Sequence, residues 1–413
     1  MFPTVEARRD CLRHLAFALG TLTILLLAPA PAAVALNDAQ QLVVESWKLV
    51  NQSFLNPERF NAVHWRRLRQ KALEASIITS EDAYDAIEVM LAPLGDPYTR
   101  LLRPDTYSMM RNSNQGNVHG VGLQLAHRQK DGQIVVISAL EGSPAAEAGI
   151  ASGTLVLSVD GEPAIELGLE GTAARLRGDV GAQVLINLER PDGTEQELTL
   201  ERRSVDLRPV RTRRLRGDVH TLGYLRITQF SEGVPEQVRD ALGELKDREV
   251  EGLVLDLRNN SGGLVSSGLA VADIFLDSGT IVETKNREGI SNVISALPET
   301  IYSGPMVTLV NNGTASASEI LAGALQDEGR SKLLGGRTFG KGLIQTLTKL
   351  SDGSGLAITV SAYVTPSGRD IQGEGILPDR ELDLPEPLNP GGDGDRWLDE
   401  AGRWMEVELD RRT

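Results

Sequence analysis

The sequence predicts an α/β fold that carries a β-rich insert and follows an N-terminal helical domain. Three successive hydrophobic patterns predict it: helical spacing up to about Met110, short alternating runs from about Val118, and strands alternating with helices from about Tyr224. The 413 residues allow two or three domains of ordinary size, and 41% hydrophobic residues is the composition of a globular chain.

Residues 1–35 read as an export signal. Arg8, Arg9 and Arg13 precede the apolar run LAFALGTLTILLLA, and small residues end at Ala33-Val34-Ala35, so cleavage is expected after Ala35. Pro29 and Pro31 interrupt the run before it makes a comfortable membrane span, which argues against a retained anchor. Arg8-Arg9 hints at the twin-arginine route. Cys11 is the only cysteine and lies before the apolar core, so disulfides, thiolate nucleophiles and cysteine-ligated metals are not expected in the mature chain.

In residues 36–117, Leu42, Val43, Trp47 and Val50, then Ile87, Val89, Met90 and Leu91, recur at helical spacing, and the helices end near the turn Gly95-Asp96-Pro97. In residues 118–206, GVGLQL, GQIVVISAL, GTLVLSVDG, QVLINLERPDG and EQELTLERR are short strands separated by Gly-rich turns. In residues 207–385 the helix PEQVRDALGEL, the strand GLVLDLR, the helix VSSGLAVADIFL, the strand MVTLV and the helix ASEILAGALQD follow one another. This alternation implies right-handed crossovers and a largely parallel sheet covered on both faces. A hairpin is expected around SDGSG, and the Pro- and Gly-rich tail beyond Leu384, assigned as 386–413, is expected to be loosely ordered.

The formal charge of −15, with no Lys or Arg cluster standing out after the first residues, argues against nucleic acid or an anionic membrane as partner. His64, His119, His127 and His220 are scattered, with no HExxH spacing, so no metal is expected. No GxSxG elbow, Walker loop or dinucleotide fingerprint is present, so no cofactor is expected.

What remains is GTASASEIL at 313–321 and TFGKGLIQ at 338–345. Ser316-Ala317-Ser318-Glu319 fits a capping box in front of a helix whose core face is Ala317, Ile320, Leu321, Ala324 and Leu325. The same position suits a nucleophile, because unpaired N–H groups and the positive end of the helix dipole stabilise an oxyanion there. Ala317 N–H is then one donor, and Gly262 or Gly263 in the SGG turn offers a second. With no histidine nearby in the sequence, the candidate base is Lys341 between Gly340 and Gly342. Lowering a lysine from ~10.4 to about 7 costs on the order of 5 kcal/mol, so Lys341 must be desolvated and held by neutral acceptors such as Gln345. The two residues lie about 13 Å apart on a strand and about 6 Å apart on a helical turn, so a tight turn is expected over 341–345. Ser318 is a second cap or orients the lysine, and Asp327 is a surface acid or supports the site. Asp256 and Arg258 are expected to form a buried or interfacial ion pair.

The block GTASASEILAGALQD followed by TFGKGLIQ resembles the C-terminal processing peptidases, the tail-specific serine proteases with a Ser/Lys dyad. The likeness extends to LGDPYTRLL near residue 94, His119-Gly120-Val121-Gly122-Leu123, DLRNNSGG at 256–263 and TPSGRDIQGEGILPD at 365–379, and so covers most of the mature chain. It implies a PDZ-like domain over 118–206 and a crotonase/Clp-protease-like α/β catalytic domain over 207–385. It also implies Ser316 as nucleophile, Lys341 as general base and Gln345 as the residue that orients the lysine. In the PDZ-like domain, Gly120, Val121, Gly122 and Leu123 would bind a peptide C-terminus while the peptide adds to the sheet edge. FGKGLIQTLTKLSDGSGLAITVSAYVTPSG is similar to the photosynthetic branch, whose members trim the precursor of the photosystem II reaction-centre D-one protein so that the manganese cluster can assemble. Ser261 and Leu377 depart from the common pattern and leave substrate preference open.

The expectation is therefore an exported serine endopeptidase, of the thylakoid lumen or a periplasm, that acts on a protein's C-terminal tail, including that of a membrane-protein precursor. No stable membrane span is expected after signal cleavage. A broad tail-specific protease and an inactive PDZ peptide-binding module are the alternatives.

Overall fold

The structure is a computed structural model that describes residues 36–412 apart from 113–116, 129–130, 141, 207–208, 218, 290, 299, 384, 388–389 and 393. The signal, Cys11 and the expected cleavage point lie outside the described residues. No described helix is long and apolar enough to cross a membrane.

Helices Asp38–Ser53, Glu58–Ala62, Trp65–Glu74 and Ser80–Leu91 form the N-terminal part. Two of them start where the sequence supplies caps: the Asn37 side chain accepts the Gln40 N–H at 2.7 Å, and Thr79 accepts the Asp82 N–H at 3.2 Å. Trp65 stacks on Phe60 and Trp47, with ring centroids 5.4 and 6.3 Å apart. This core is shared with the rest of the protein, since Leu350, Leu356 and Ile358 close it from the strand Gly355–Val364 and the loop before it. The strand Arg100–Leu102 then pairs antiparallel with Ala357, Leu356 and Gly355, tying the segment after Gly95-Asp96-Pro97 to the last long strand of the C-terminal part.

The β-rich module has a five-strand path with Leu123–His127 at one edge, beside helix Ala164–Leu176. Strands Asn117–Gly120 and Arg203–Asp206 pair, so the chain enters and leaves the module side by side.

The C-terminal part is built on a six-stranded sheet in the order Val210–Arg216, Thr221–Ile227, Gly252–Asp256, Met306–Val310, Lys332–Gly335, Arg380–Glu381. Only the first pair is antiparallel. Gly252–Asp256 and Met306–Val310 are buried throughout, as expected of strands covered on both faces. Leu253, Leu255 and Leu257 pack with helices Val234–Asp247, Val265–Phe275 and Ala317–Asp327, whereas Val254, Tyr224, Val307 and Leu309 face the other way. A second sheet holds the hairpin of Leu343–Lys349 and Gly355–Val364 around SDGSG, as the sequence suggested.

The opposite face of the main sheet is covered by helix Arg396–Asp410, which corrects the expectation of a loose tail. Trp397, Leu398, Ala401, Met405 and Leu409 are buried at helical spacing against Val254, Val307 and Leu309. Asp395 caps this helix by accepting the Leu398 N–H at 3.0 Å, and it also pairs with Arg258 at 2.6 Å. The expected Asp256–Arg258 pair is present and fully buried at 2.6 Å, with Tyr224 donating to Asp256 at 2.8 Å. Burial works against the Asp256 charge, yet Arg258 and Arg226 hold its pKa well below the usual carboxylate range.

Candidate active site

Ser316 sits half-buried at the end of the loop that leaves Met306–Val310 and opens helix Ala317–Asp327. Its backbone, at φ 57° and ψ −119°, is unlike that of the ordinary cap Asn37, at −70° and 169°. Such a conformation costs a non-glycine residue on the order of 1–3 kcal/mol and is held only by surrounding structure. Here the holders are visible. Glu319 accepts the Ser316 N–H at 2.9 Å, and the Ser316 carbonyl accepts the N–H groups of Glu319 at 2.8 Å and Ile320 at 3.1 Å. The carboxylate half of the capping box therefore exists, while the backbone of Ser316 is that of a strained turn.

Gly262, at φ 100°, lies against this turn: a Cβ there would come within 2.9 Å of Ser316 Cβ and 3.0 Å of the Ala317 nitrogen. Its own N–H is taken by Asn260 Oδ1 at 3.0 Å. Gly263 bridges Phe230 in parallel fashion, with Phe230 N–H bound to the Gly262 carbonyl and Leu264 N–H to the Phe230 carbonyl. That pattern turns the Gly263 N–H away from Phe230. Among the described residues neither the Ala317 nor the Gly263 N–H has an acceptor, so these two, rather than Gly262, are the free donors at the turn.

Lys341 is fixed by its backbone. Its N–H and that of Gly340 donate to Glu319 at 2.9 and 2.8 Å, and its carbonyl accepts from the Tyr363 hydroxyl at 2.6 Å. Gly340, at φ 90°, packs so closely on residues 371–375 that a Cβ would meet the Gly375 nitrogen at 2.8 Å. The Lys341 Nζ lies over the Tyr98 ring, 5.2 Å from its centroid. Burial lowers its pKa to about 8, the Arg100 charge pushes the same way, and Glu319 and Asp96 pull against them. Among the described residues no direct hydrogen bond joins Ser316 Oγ to Lys341 Nζ.

Glu319 is fully buried and takes four donors: Thr338 Oγ1 at 2.6 Å and Gly340 N–H at 2.8 Å on one oxygen, Ser316 and Lys341 N–H at 2.9 Å on the other. Burial raises its pKa, and those hydrogen bonds oppose the rise. The sequence marked Glu319 only as the last residue of a capping box, and its reach to a loop more than twenty residues away has no local signal.

A cavity of about 870 Å³ runs from this region to the β-rich module and is lined by Tyr98, Arg100, His127, Leu167, Leu169 and Glu170 among others. Arg100 and Glu170 pair across it at 2.6 Å. In the β-rich module, Gly120, at φ 154°, and Gly122, at φ 79°, frame the buried Val121, and Leu140 N–H donates to the Gly122 carbonyl at 2.8 Å. Leu123, opposite Ala139, is then at a non-bonded position of the pair and turns its N–H to the open edge of the sheet.

This arrangement has counterparts among known proteins. The model of peptidase family S41 matches residues 221–382, and a PDZ domain model matches residues 135–190. A carboxyl-terminal-processing protease of Synechocystis is 43% identical over 90% of this chain and 87% of its own length. The chain belongs to peptidase family S41. Carboxyl-terminal-processing peptidase 3 of Arabidopsis thaliana chloroplasts is 40% identical, over 85% of this chain and 70% of its own. The solved photosystem II D1 C-terminal processing protease superposes with a TM-score of 0.78 at 37% identity, covering 89% of this chain and 97% of that one. The helical, PDZ and S41 peptidase parts expected from the sequence are thus present, and the protein is a serine peptidase of the carboxyl-terminal-processing type.

Three expectations about individual S41 site residues need correction. Residues 343–349 form a strand rather than a tight turn, with a register shift between Ile344 and Gln345, because they pair along Gly355–Val364. Gln345, on that strand, donates its Nε2 to Thr359 Oγ1 at 3.4 Å and keeps Oε1 as an acceptor. Ser318 Oγ donates to the Asn260 carbonyl at 2.9 Å and so ties the SGG loop to the helix. Asp327 ends the helix about 16 Å along from Ser316, where it accepts the Ser367 N–H at 2.9 Å and pairs with Arg369. It anchors the TPSGR turn.

Proposed function

We propose that Ser316 attacks the carbonyl of a substrate's C-terminal tail, with Lys341 as general base, and that the tail is the extension of the photosystem II D1 precursor in the thylakoid lumen. The observation that carries the catalytic assignment is that the strained Ser316 and the Lys341 with lowered pKa are fixed by the same side chains, next to two unoccupied N–H donors. In this reading the Lys341 side chain turns from Tyr98 and takes the Ser316 hydroxyl proton as Oγ bonds to the carbonyl carbon. Ala317 and Gly263 N–H hold the oxyanion. Lys341 then delivers the proton to the leaving amine, and water hydrolyses the acyl-enzyme by the same proton route. Gln345 keeps its orienting role as a proposal: its Nε2 is used by Thr359, which leaves Oε1 to receive the turned lysine.

Two further observations support the substrate reading. The cavity lies between Tyr98, whose ring is under Lys341 Nζ, and the PDZ-like module, whose Leu123–His127 strand is an open edge suited to an added peptide strand, with Gly120, Val121, Gly122 and Leu123 as its carboxylate end. The likeness to the D1 processing protease extends over 89% of the chain. Removal of the extension would expose the carboxylate required for manganese cluster assembly.

The test is mass spectrometry of a peptide carrying the D1 precursor extension after incubation with the mature protein, Ser316→Ala and Lys341→Ala. One cut by the wild type, lost in both variants, is expected. Many cuts would indicate broad tail-specific proteolysis, and peptide binding with no cut would indicate a binding module.

A further inference from the structure

The side chain of Tyr363 is fully buried on the strand Gly355–Val364, and its position is set twice over. Its N–H donates to the Gly342 carbonyl at 2.9 Å, and its hydroxyl lies 2.6 Å from the Lys341 carbonyl and 2.9 Å from the Ser316 carbonyl. Glu319 makes the complementary set of contacts, to the N–H groups of the same two residues. Ser316 and Lys341 are therefore each held at both the backbone N–H and the carbonyl by one shared pair of side chains.

From this geometry we infer that Tyr363 is a positioning residue of the peptidase reaction, whose hydroxyl sets the separation between the Ser316 turn and the Lys341 loop. The inference rests on the reading of Ser316 and Lys341 as nucleophile and base. Tyr363 itself touches no reacting atom.

The two carbonyls depend on it unequally. The Ser316 carbonyl already accepts two helix N–H groups, whereas among the described residues the Tyr363 hydroxyl is the sole donor to the Lys341 carbonyl. The single hydroxyl proton is thus directed to Lys341, with Ser316 as the longer, shared partner. Burial, and then the Glu319 charge, raise the Tyr363 pKa well above its ordinary value, so the group stays a donor at any working pH. Gly340 and Gly342 hold the loop through their close packing on residues 371–375, while the Lys341 carbonyl between them is held by the Tyr363 hydroxyl.

Tyr363→Phe keeps the ring and removes only the hydroxyl, and the full mature chain is the material to use. The expected result is an unchanged melting temperature within a few degrees and an unchanged KM for the tail peptide. kcat should fall roughly 10- to 100-fold, and the acidic limb of the pH–rate profile should move to higher pH as the lysine loop loosens towards water. Titration of the Lys341 Nζ resonance by NMR should show the same upward shift without any need for turnover. A Tyr363→Phe enzyme with wild-type kcat and an unmoved lysine titration overturns the inference. A fall in melting temperature that accounts for the whole loss of kcat, with the titration unmoved, overturns it too. The underlying dyad reading fails separately, by cleavage surviving in Ser316→Ala or Lys341→Ala, whatever Tyr363→Phe does.

Discussion

The backbone N–H groups of Ser316 and Lys341 end on the same oxygen, Oε2 of Glu319, each at 2.9 Å. A residue on the first turn of the nucleophile helix thereby fixes a loop that enters from a different part of the sheet. Since all four of its contacts are donors to the carboxylate, an amide cannot replace it. Glu319→Gln places an NH₂ against at least two N–H or O–H donors and leaves them buried without acceptors, at on the order of 1–3 kcal/mol each. Thermal melts should show a clear loss of stability, and kcat/KM should fall by a factor of 100 or more. Wild-type values for both would show that the carboxylate does not organise the site.

The lowered pKa of Lys341, about 8, fixes the sign of the pH dependence. Only the neutral amine accepts a proton, so kcat/KM should rise with pH through about 8 and then level off. Arg100 disfavours the charged lysine, so Arg100→Gln should raise that pKa and displace the limb to higher pH, with lower activity at neutral pH. Glu170→Gln breaks the same Arg100–Glu170 pair while keeping the arginine charge. It should not move the limb upward, and if it does, the ion pair rather than the Arg100 charge governs the lysine.

The same lysine should cost stability. Its folded pKa lies below the ordinary 10.5, so the unfolded chain binds more protons between about 8 and 10.5. Stability from this group must then rise with pH across that window, with the full penalty present below about 8. Lys341→Met removes the penalty and should stabilise the protein at neutral pH by on the order of 1–3 kcal/mol while abolishing cleavage. Denaturant unfolding at pH 7 and again above pH 10 checks this: the advantage should shrink at the higher pH.

How much of this was legible beforehand follows from the range of each interaction. Ser316, Ala317 and Gly262–Gly263 stand in short motifs whose chemistry is local, and Lys341 stands out as a lone cation between glycines. The tight turn expected over 341–345 is a local solution to a short reach between Lys341 and Gln345, whereas pairing with Gly355–Val364 imposes a strand from Leu343 onward. Glu319, Tyr98 and Tyr363 act through tertiary contacts across more than twenty residues of sequence or across the sheets, and periodicity carries no trace of them. The helix Arg396–Asp410 was hidden by the Pro- and Gly-rich stretch before it, although Trp397, Leu398, Ala401, Met405 and Leu409 have helical spacing.

That helix also carries a prediction, through Asp395. Its carboxylate caps the helix and receives Arg258 Nη1 at 3.0 Å and Nη2 at 2.6 Å in a fully buried network. Asp395→Ala removes the cap, worth about 1 kcal/mol, and leaves part of a buried guanidinium unpaired, which costs a further few kcal/mol. The same Arg258 is bound to Asp256 at the end of the central strand, from which the loop leads to Asn260 and the SGG turn. Loss of Asp395 should therefore lower the melting temperature by well over 5 °C and also depress kcat through the Gly263 donor, with KM less affected. Removing residues 396–413 should be worse, since Val254, Val307 and Leu309 would then face water. If Asp395→Ala melts early but retains full kcat below its transition, the tail helix supports only the sheet and the link to the oxyanion turn is wrong.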